Sequence, residues 1–199
     1  MTPTVSLYPI PAKRKTDEMK ITKKTVLDRL PMFCMWFLFT AAGVILDQIT
    51  KKIAVSDLKG QGEKQFIPYI FDLIYVENRG AAWGMFADHR WVFMSISTIA
   101  VILMSAALFA YAKEHKMFCI SLAAVISGGV GNMIDRVVNG YVVDFLQFSF
   151  YPDFPVFNVA DIFVTVGCIC LAVYMIFFDK TIFREEKKPK EEDADAENG

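Results

Sequence analysis

Two aspartates, Asp144 and Asp161, lie beside long apolar runs, the first within the sequence VDF and the second at the end of the sequence FNVAD. A carboxylate close to a bilayer is expensive, so it usually marks a functional site with a partner group. Two carboxylates close together in a low-dielectric site share a proton, and the pair then offers an acid and a base at once. The pattern therefore predicts an acid–base dyad that can activate water.

Two more polar sets are spaced for a single helix face. Asn158, Asp161 and Thr165 follow each other at three- and four-residue intervals, and we expect that face to point into the protein or a wet cavity rather than at lipid. Asp47 and Lys51 lie four residues apart with the acid first, the favourable order for a helical ion pair. Such a pair is usually structural, although it falls on the same predicted side of the membrane as the other acids.

The end of the third apolar run carries a third polar set. Asn132 shares a helix face with Asp135 and Arg136, and we predict that Asp135 and Arg136 act mainly by holding the helix end and the loop after it, with each as the other's partner. Small residues on the same side of this helix predict close approach of a neighbouring helix: Ala124, Ser127, Gly128 and Gly131. This span is therefore expected at the centre of the bundle.

These sets must be positioned by membrane helices, because 54% of the 199 residues are hydrophobic and 14% are aromatic. Four apolar runs come near the roughly 17–25 residues that a helix needs to cross the hydrocarbon: about 30–46, 91–112, 117–134 and 154–178. The first run has an alternative interpretation as the core of a signal peptide, although the segment before it is longer than a usual basic leader. The sequence predicts a mainly α integral membrane fold with four transmembrane helices.

The connecting segments predict a small extramembrane β-rich element and an interfacial loop. The outward segment 47–90 contains a stretch rich in β-branched and aromatic residues from Phe66 to Val76, followed by a turn signal. The outward loop 137–153 has the aromatic enrichment of the headgroup region, so we expect it to lie on the membrane surface. Residues 1–30 and 179–199 read as polar cytoplasmic tails on either side of a membrane domain at 31–178.

The distribution of Lys and Arg predicts the orientation. Fourteen lie on the side of the two termini and seven on the other side, so both termini are expected in the cytoplasm and the acids toward the outer face. The net charge of -1 and the scattered basic residues argue against a nucleic-acid partner. The cysteines show no metal-ligand spacing, so no metal site is expected.

Five motifs in this order and on these spans resemble bacterial lipoprotein signal peptidase, also called signal peptidase II. The motifs are Asp47-x-x-Thr50-Lys51, Asn78-x-Gly80-Ala81-Ala82-Trp83, Gly128-Gly129-x-x-Asn132-x-x-Asp135-Arg136, Val143-Asp144-Phe145 and Phe157-Asn158-x-Ala160-Asp161. The resemblance covers about residues 30–178. The N-terminal tail and the acidic C-terminal tail are longer than in a minimal member of that family.

The resemblance implies that Asp144 and Asp161 are the catalytic dyad of an aspartic endopeptidase in the bacterial inner membrane. The substrate would be a diacylglyceryl-modified prolipoprotein, cleaved just before its lipidated cysteine. Apart from the resemblance, we expect a monomer surrounded by membrane lipids, and the acid–base chemistry of the dyad needs no cofactor. Residues that would position the substrate or the dyad are Asn78, Gly80, Asn132, Asp135, Arg136, Asn158, Asp47 and Lys51. Asn78 and Gly80 would lie on an extramembrane element, Phe66 to Trp83, which we expect to be a mobile cover. A rigid platform on the membrane surface is the alternative.

A small proton-coupled transporter is the main competing function, since intramembrane acids also mark ion pathways. A relay needs acids spread through the depth of the bilayer, whereas the acids of this sequence gather toward one face. A structural scaffold is a third interpretation, and it does not explain the polar face of the fourth span.

Overall fold

The computed structural model describes residues 23–80, 90–113 and 115–178, so most of both predicted tails and the motif residues Ala81, Ala82 and Trp83 lie outside the described residues. The elements are α1 (Lys23–Leu58), β1 (Lys64–Ile67), β2 (Phe71–Asn78), α2 (Arg90–Tyr111), α3 (Lys116–Val138), β3 (Val142–Phe148) and α4 (Val159–Phe177). All four helices are long and apolar enough to cross a membrane. The predicted fold class, four membrane helices with a small β element, is confirmed.

Helix α1 is longer than the apolar run that predicted it. Charged residues such as Asp47 and Lys51 end the hydropathy signal, but they are compatible with a helix, and α1 continues to Leu58. Gly60 follows with a φ of 76°, a left-handed conformation that glycine adopts readily after a helix. The outward segment 47–90, which was predicted to be β-rich, therefore begins with the last part of α1. Its strands start only at Lys64.

Helix α4 begins later than expected, at Val159 rather than near residue 154. Asn158 is its N-cap, with φ -135° and ψ -178°, and its side-chain oxygen accepts the backbone N–H of Asp161. The Asp161 carboxylate in turn accepts the N–H of Asn158, which completes a capping box. The N-cap lies three residues before Asp161, so Asp161 is in the first turn of the helix.

The extramembrane element is a three-stranded antiparallel sheet with the order β1-β2-β3. Strand β3 lies within the loop that was expected only to rest on the membrane surface, because strands and headgroup belts share an enrichment in aromatic residues. Phe71 of β2 pairs with Phe148 at one end of the sheet, and Asn78 pairs with Val142 at the other. The sheet thus brings the end of β2 beside the polar ends of α3 and α4.

Helix α3 is central, as its small residues predicted, and it packs against α1, α2 and α4. A Cβ added at Gly128 would collide with the backbone carbonyl of Ala160 in α4, and one at Gly131 would lie 2.5 Å from the Asp47 carboxylate. Thr165 is exposed. The buried part of the polar face of α4 therefore ends before Thr165, and α4 packs on α3 through Gly128 and Gly167.

Candidate active site

Asp144 of β3 and Asp161 of α4 are both bound by one residue, Asn158. The Asn158 side-chain amide donates to Asp144 Oδ1 at 2.6 Å, and its backbone N–H donates to Asp161 Oδ2 at 3.1 Å. Asn158 is fully buried, and its bond to Asp144 forms away from solvent. One residue therefore fixes both carboxylates, although they lie on different secondary-structure elements.

A short bridge holds β3 against the segment before α4. The N–H groups of Phe145 and Leu146 both donate to the carbonyl of Phe157, at 3.0 and 2.8 Å, and Phe157 N–H donates back to Leu146. Because Phe157 immediately precedes the N-cap, this bridge sets the distance from the strand to the first turn of α4. The capping box and the bridge together place the two aspartates side by side.

Asp144 is buried, with 2% of its surface exposed. Its second oxygen accepts a 2.8 Å hydrogen bond from the side-chain amide of Asn78 at the end of β2. Burial and, to a smaller extent, the nearby charge of Asp161 raise the pKa of Asp144 to about 7, against the opposing effect of the amide donors. Asp144 is therefore suited to carry a proton close to neutral pH.

Asp161 has a different environment. It is partly exposed, and its Oδ1 accepts a 2.8 Å hydrogen bond from the side-chain amide of Asn132 in α3. The Asn132 oxygen accepts from the Lys51 ammonium at 2.8 Å and from Asn158 at 3.1 Å. These two donors fix the orientation of the Asn132 amide, so that its N–H group faces Asp161.

A buried ion-pair cluster lies behind the dyad. Lys51 Nζ is 2.9 Å from Asp47 Oδ2 and 3.2 Å from Asp135 Oδ2, and all three side chains are at most 3% exposed. The sequence predicted the Asp47–Lys51 pair but expected Asp135 to hold Arg136. The structure also pairs Asp135 with Lys51, since a buried carboxylate requires a nearby cation and donors.

Arg136 reaches the outer rim of the site. Its guanidinium donates to the carbonyl of Gly80 and to the carbonyl of Asn132, both at 3.4 Å. Gly80 N–H donates to the side-chain oxygen of Asn78 at 3.0 Å, which orients the amide that binds Asp144. All ten residues that the sequence singled out thus meet in one hydrogen-bonded network.

Sequence reasoning missed one member of this network, Gln48. Its side-chain nitrogen donates to Asp47 Oδ2 at 3.2 Å, to Asp135 Oδ1 at 3.0 Å and to the carbonyl of Gly131 at 3.2 Å. The signal that could have found it is its position beside Asp47, at the end of an apolar run. Within residues 23–80, 90–113 and 115–178, no group of three or more His, Cys, Asp or Glu side chains is arranged to hold a metal ion.

Comparison with known proteins gives a consistent result. The family described as signal peptidase (SPase) II matches residues 39–177. A lipoprotein signal peptidase of Clostridium tetani is 40% identical over 156 residues, which cover 75% of this chain and 99% of that protein. One from Caldanaerobacter subterraneus subsp. tengcongensis is 42% identical over 143 residues, 72% of this chain and 97% of that protein. A bacterial membrane enzyme solved by the in meso method at 1.9 Å is 31% identical, with a TM-score of 0.63 over 72% of this chain and 94% of that one.

Proposed function

The chain belongs to the signal peptidase II family, and on that premise we propose that it is an aspartic endopeptidase with Asp144 and Asp161 as its catalytic dyad. It is a multi-pass bacterial membrane protein and a protease by family. The proposed substrate is a prolipoprotein whose cysteine already carries a diacylglyceryl group. The proposed cleavage point is the peptide bond just before that cysteine.

The observation that carries this proposal is the asymmetric environment of the two carboxylates. Each carboxylate accepts two N–H donors, but Asp144 is buried and has a pKa of about 7, whereas Asp161 is partly exposed. A pair of acids in different environments can hold one proton between them, with one member as acid and the other as base. Asp144 takes the role of the acid and Asp161 that of the base.

The reaction follows from these roles. Asp161 removes a proton from a water molecule, which attacks the carbonyl carbon of the scissile peptide bond. Asp144 donates its proton to the carbonyl oxygen as negative charge develops there. When the tetrahedral intermediate collapses, the proton that Asp161 has accepted passes to the leaving nitrogen, and one hydroxyl proton of the intermediate returns to Asp144. The C–N bond breaks, and the new carboxyl group and the amino group of the lipidated cysteine are released.

The location of the dyad suits a lipid-bearing substrate. Asp161 is in the first turn of α4 and Asn132 is near the end of α3, so the site lies at one end of the membrane helices, beside the sheet. The acyl chains of the substrate would stay in the bilayer while the peptide bond meets water at the interface. We place this end at the outer face, with both termini in the cytoplasm, from the distribution of basic residues.

The segment from Phe66 to Trp83 is proposed as the movable cover of this site. Asn78 and Gly80 already contact Asp144 and Arg136 through hydrogen bonds. A cleft that admits a diacylated peptide and then excludes bulk water needs an element that opens and closes. A proton relay, the competing function, would require acids along the bilayer depth, whereas the four acids of this network are grouped at one end of the bundle.

The proposal is tested by cleavage of a defined substrate. Purified protein is incubated with a prolipoprotein carrying the diacylglyceryl group and, separately, with the same prolipoprotein without it, and the products are weighed by mass spectrometry. We expect a product that begins with the lipidated cysteine from the first substrate, and none from the second. An intact modified substrate would refute the proposed function.

A further inference from the structure

Two buried acids outside the dyad each hold the main chain next to a dyad carboxylate. Asp47 Oδ1 accepts the backbone N–H of Ala160 at 3.0 Å, and Ala160 directly precedes the dyad aspartate of α4. Asp135 Oδ2 accepts the backbone N–H of Val143 at 3.0 Å, and Val143 directly precedes the dyad aspartate of β3. Asp47 and Asp135 therefore fix the two places from which the catalytic side chains extend.

Two side chains of α1 tie these acids to each other. Lys51 Nζ contacts Asp47 at 2.9 Å and Asp135 at 3.2 Å, and Gln48 Nε2 contacts the same two carboxylates at 3.2 and 3.0 Å. Gln48 also donates to the carbonyl of Gly131, which anchors it to α3. The two main-chain anchors are thus joined through one turn of a single helix.

Lys51 alone does not supply enough positive charge or enough hydrogen-bond donors for Asp47 and Asp135. It carries one positive charge against two carboxylates, and its three donors go to Asp47, Asp135 and Asn132. A buried carboxylate oxygen that lacks a donor is costly, and both Lys51 and the Val143 N–H reach Oδ2 of Asp135, which leaves its Oδ1 to another donor. Gln48 donates to that Oδ1, and it also contacts Asp47 Oδ2, without adding charge.

We propose that Gln48 is a positioning residue that, together with Lys51, sets the spacing of the dyad. This inference rests on the proposed aspartic peptidase function. The spacing matters because two interacting acids titrate as a pair, and their coupling separates the two apparent pKa values of the pH–rate profile. Weaker control of the spacing lowers the fraction of enzyme in productive geometry and weakens that coupling.

Several charged groups surround the cluster, so a change of charge there would be hard to interpret. These groups are Asp47, Lys51 and Lys52 of α1, Asp135 and Arg136 of α3, Asp144 of β3 and Asp161 of α4. Gln48 is neutral, and its hydrogen bonds go to Asp47, Asp135 and Gly131. A neutral replacement of Gln48 therefore reports on position rather than on charge.

The test is Gln48→Met, which keeps the side-chain length and removes the amide donors. We expect kcat on the diacylglyceryl-modified prolipoprotein to fall at least about tenfold, because small displacements of catalytic groups have effects of up to about 10²-fold. KM should stay at the parental value, and the bell-shaped profile of kcat against pH should become narrower. Gln147→Met is the matched control, since the amide of Gln147 donates only to the carbonyl of Pro152 at an exposed position. It should keep parental kcat and profile.

A Gln48→Met protein with parental kcat and parental profile would overturn the proposal. A lower melting temperature with an unchanged pH profile would also overturn it, because it would show a structural role only. If Gln48→Met does not fold, Gln48→Asn decides, since it keeps a neutral amide on a side chain one methylene shorter and so withdraws the amide from the two carboxylates. Its kcat should fall and its pH profile should become narrower, and parental values of both would contradict the proposal.

The same assay separates this inference from the function on which it rests. A parent protein that does not cleave the modified substrate would refute both. An active parent that loses cleavage with Asp144→Asn and Asp161→Asn, but not with Gln48→Met or Gln48→Asn, would refute only the role of Gln48.

Discussion

The two ends of the helical bundle are built from opposite kinds of residue. At the end near the link between α2 and α3, the core is apolar and contains Trp36, Leu108, Ala112, Cys119, Leu122, Ala123 and Ile126. At the end beside the sheet, the most buried side chains include Asp47, Lys51, Asp135, Asp144 and Asn158. The first end makes close packing contacts, and the second removes several charges from water.

This difference indicates that the apolar end mainly stabilises the fold and that the polar end serves the proposed chemistry. Trp36 satisfies its polar atom with one hydrogen bond, from Nε1 to the carbonyl of Ala112 at 3.1 Å, and otherwise packs against apolar neighbours. The polar end must bind every carboxylate with donors, and a buried ion pair usually gives little net stability. A protein retains such an expensive cluster when its function requires it.

The largest expected effect is on catalysis at the polar end. Asp144→Asn and Asp161→Asn keep side-chain volume and remove the acid or the base, so cleavage should fall by about 10²–10⁴-fold. The melting temperature should stay close to that of the parent. Rates are measured with the modified prolipoprotein, and folding by thermal unfolding of the same samples. Turnover by both variants above about one hundredth of the parental rate would contradict the dyad assignment.

Asp135→Ala should reduce both the thermal stability and the rate of cleavage. It leaves Lys51 with one carboxylate, and it frees the N–H of Val143 beside the dyad. Removing one partner of a buried ion pair costs about 3–5 kcal/mol, so the melting temperature should fall together with cleavage. Asp135→Asn retains an acceptor for the Val143 N–H, so it should lose less thermal stability and less activity than Asp135→Ala. An Asp135→Ala protein with unchanged melting temperature and no activity would move Asp135 into the chemical step.

Trp36→Ala, at the apolar end, should reduce thermal stability without reducing kcat. Truncation of a buried tryptophan costs about 3–5 kcal/mol, so thermal stability should fall strongly while kcat at low temperature remains near parental. Trp36→Phe is the matched control, because it keeps a six-membered aromatic ring in the core and cannot form the hydrogen bond to Ala112. If Trp36→Ala changed kcat as much as it changed stability, the two ends would not be separable.

The smallest expected change concerns the proposed cover. Spin labels at Tyr69, which is 86% exposed, and at Val138, which is 74% exposed at the end of α3, report the distance between the sheet and the bundle. We expect a broad distance distribution that narrows when a peptide-like inhibitor occupies the site. A pair of labels at Val138 and Phe177 within the helical bundle should not respond. An identical single distance with and without inhibitor would contradict the mobile cover and favour the rigid platform.

Much of the site could be predicted from the sequence, because helical spacing alone places Asn132 near Asp135 and Asn158 near Asp161. What the sequence did not reveal was strand β3, Val142–Phe148, whose aromatic residues were attributed to the membrane surface. The contact of Asp135 with Lys51 was not predicted either, since it joins helices that are far apart in sequence. Local patterns report which residues share a face, and they do not report which faces meet.

The central claim is that Asp144 and Asp161 share one proton near neutral pH, with Asp144 as the acid. Infrared titration in an ester-free detergent detects the C=O stretch of a protonated carboxyl group, and the difference between the parent and Asp144→Asn assigns it. Because burial raises the pKa of Asp144 to about 7, the group is protonated below that pH and ionises as the pH rises through it. We predict a band that titrates near pH 7 in the parent and is absent from Asp144→Asn. A parent without such a band at pH 6, or a variant that retains it, would contradict the account.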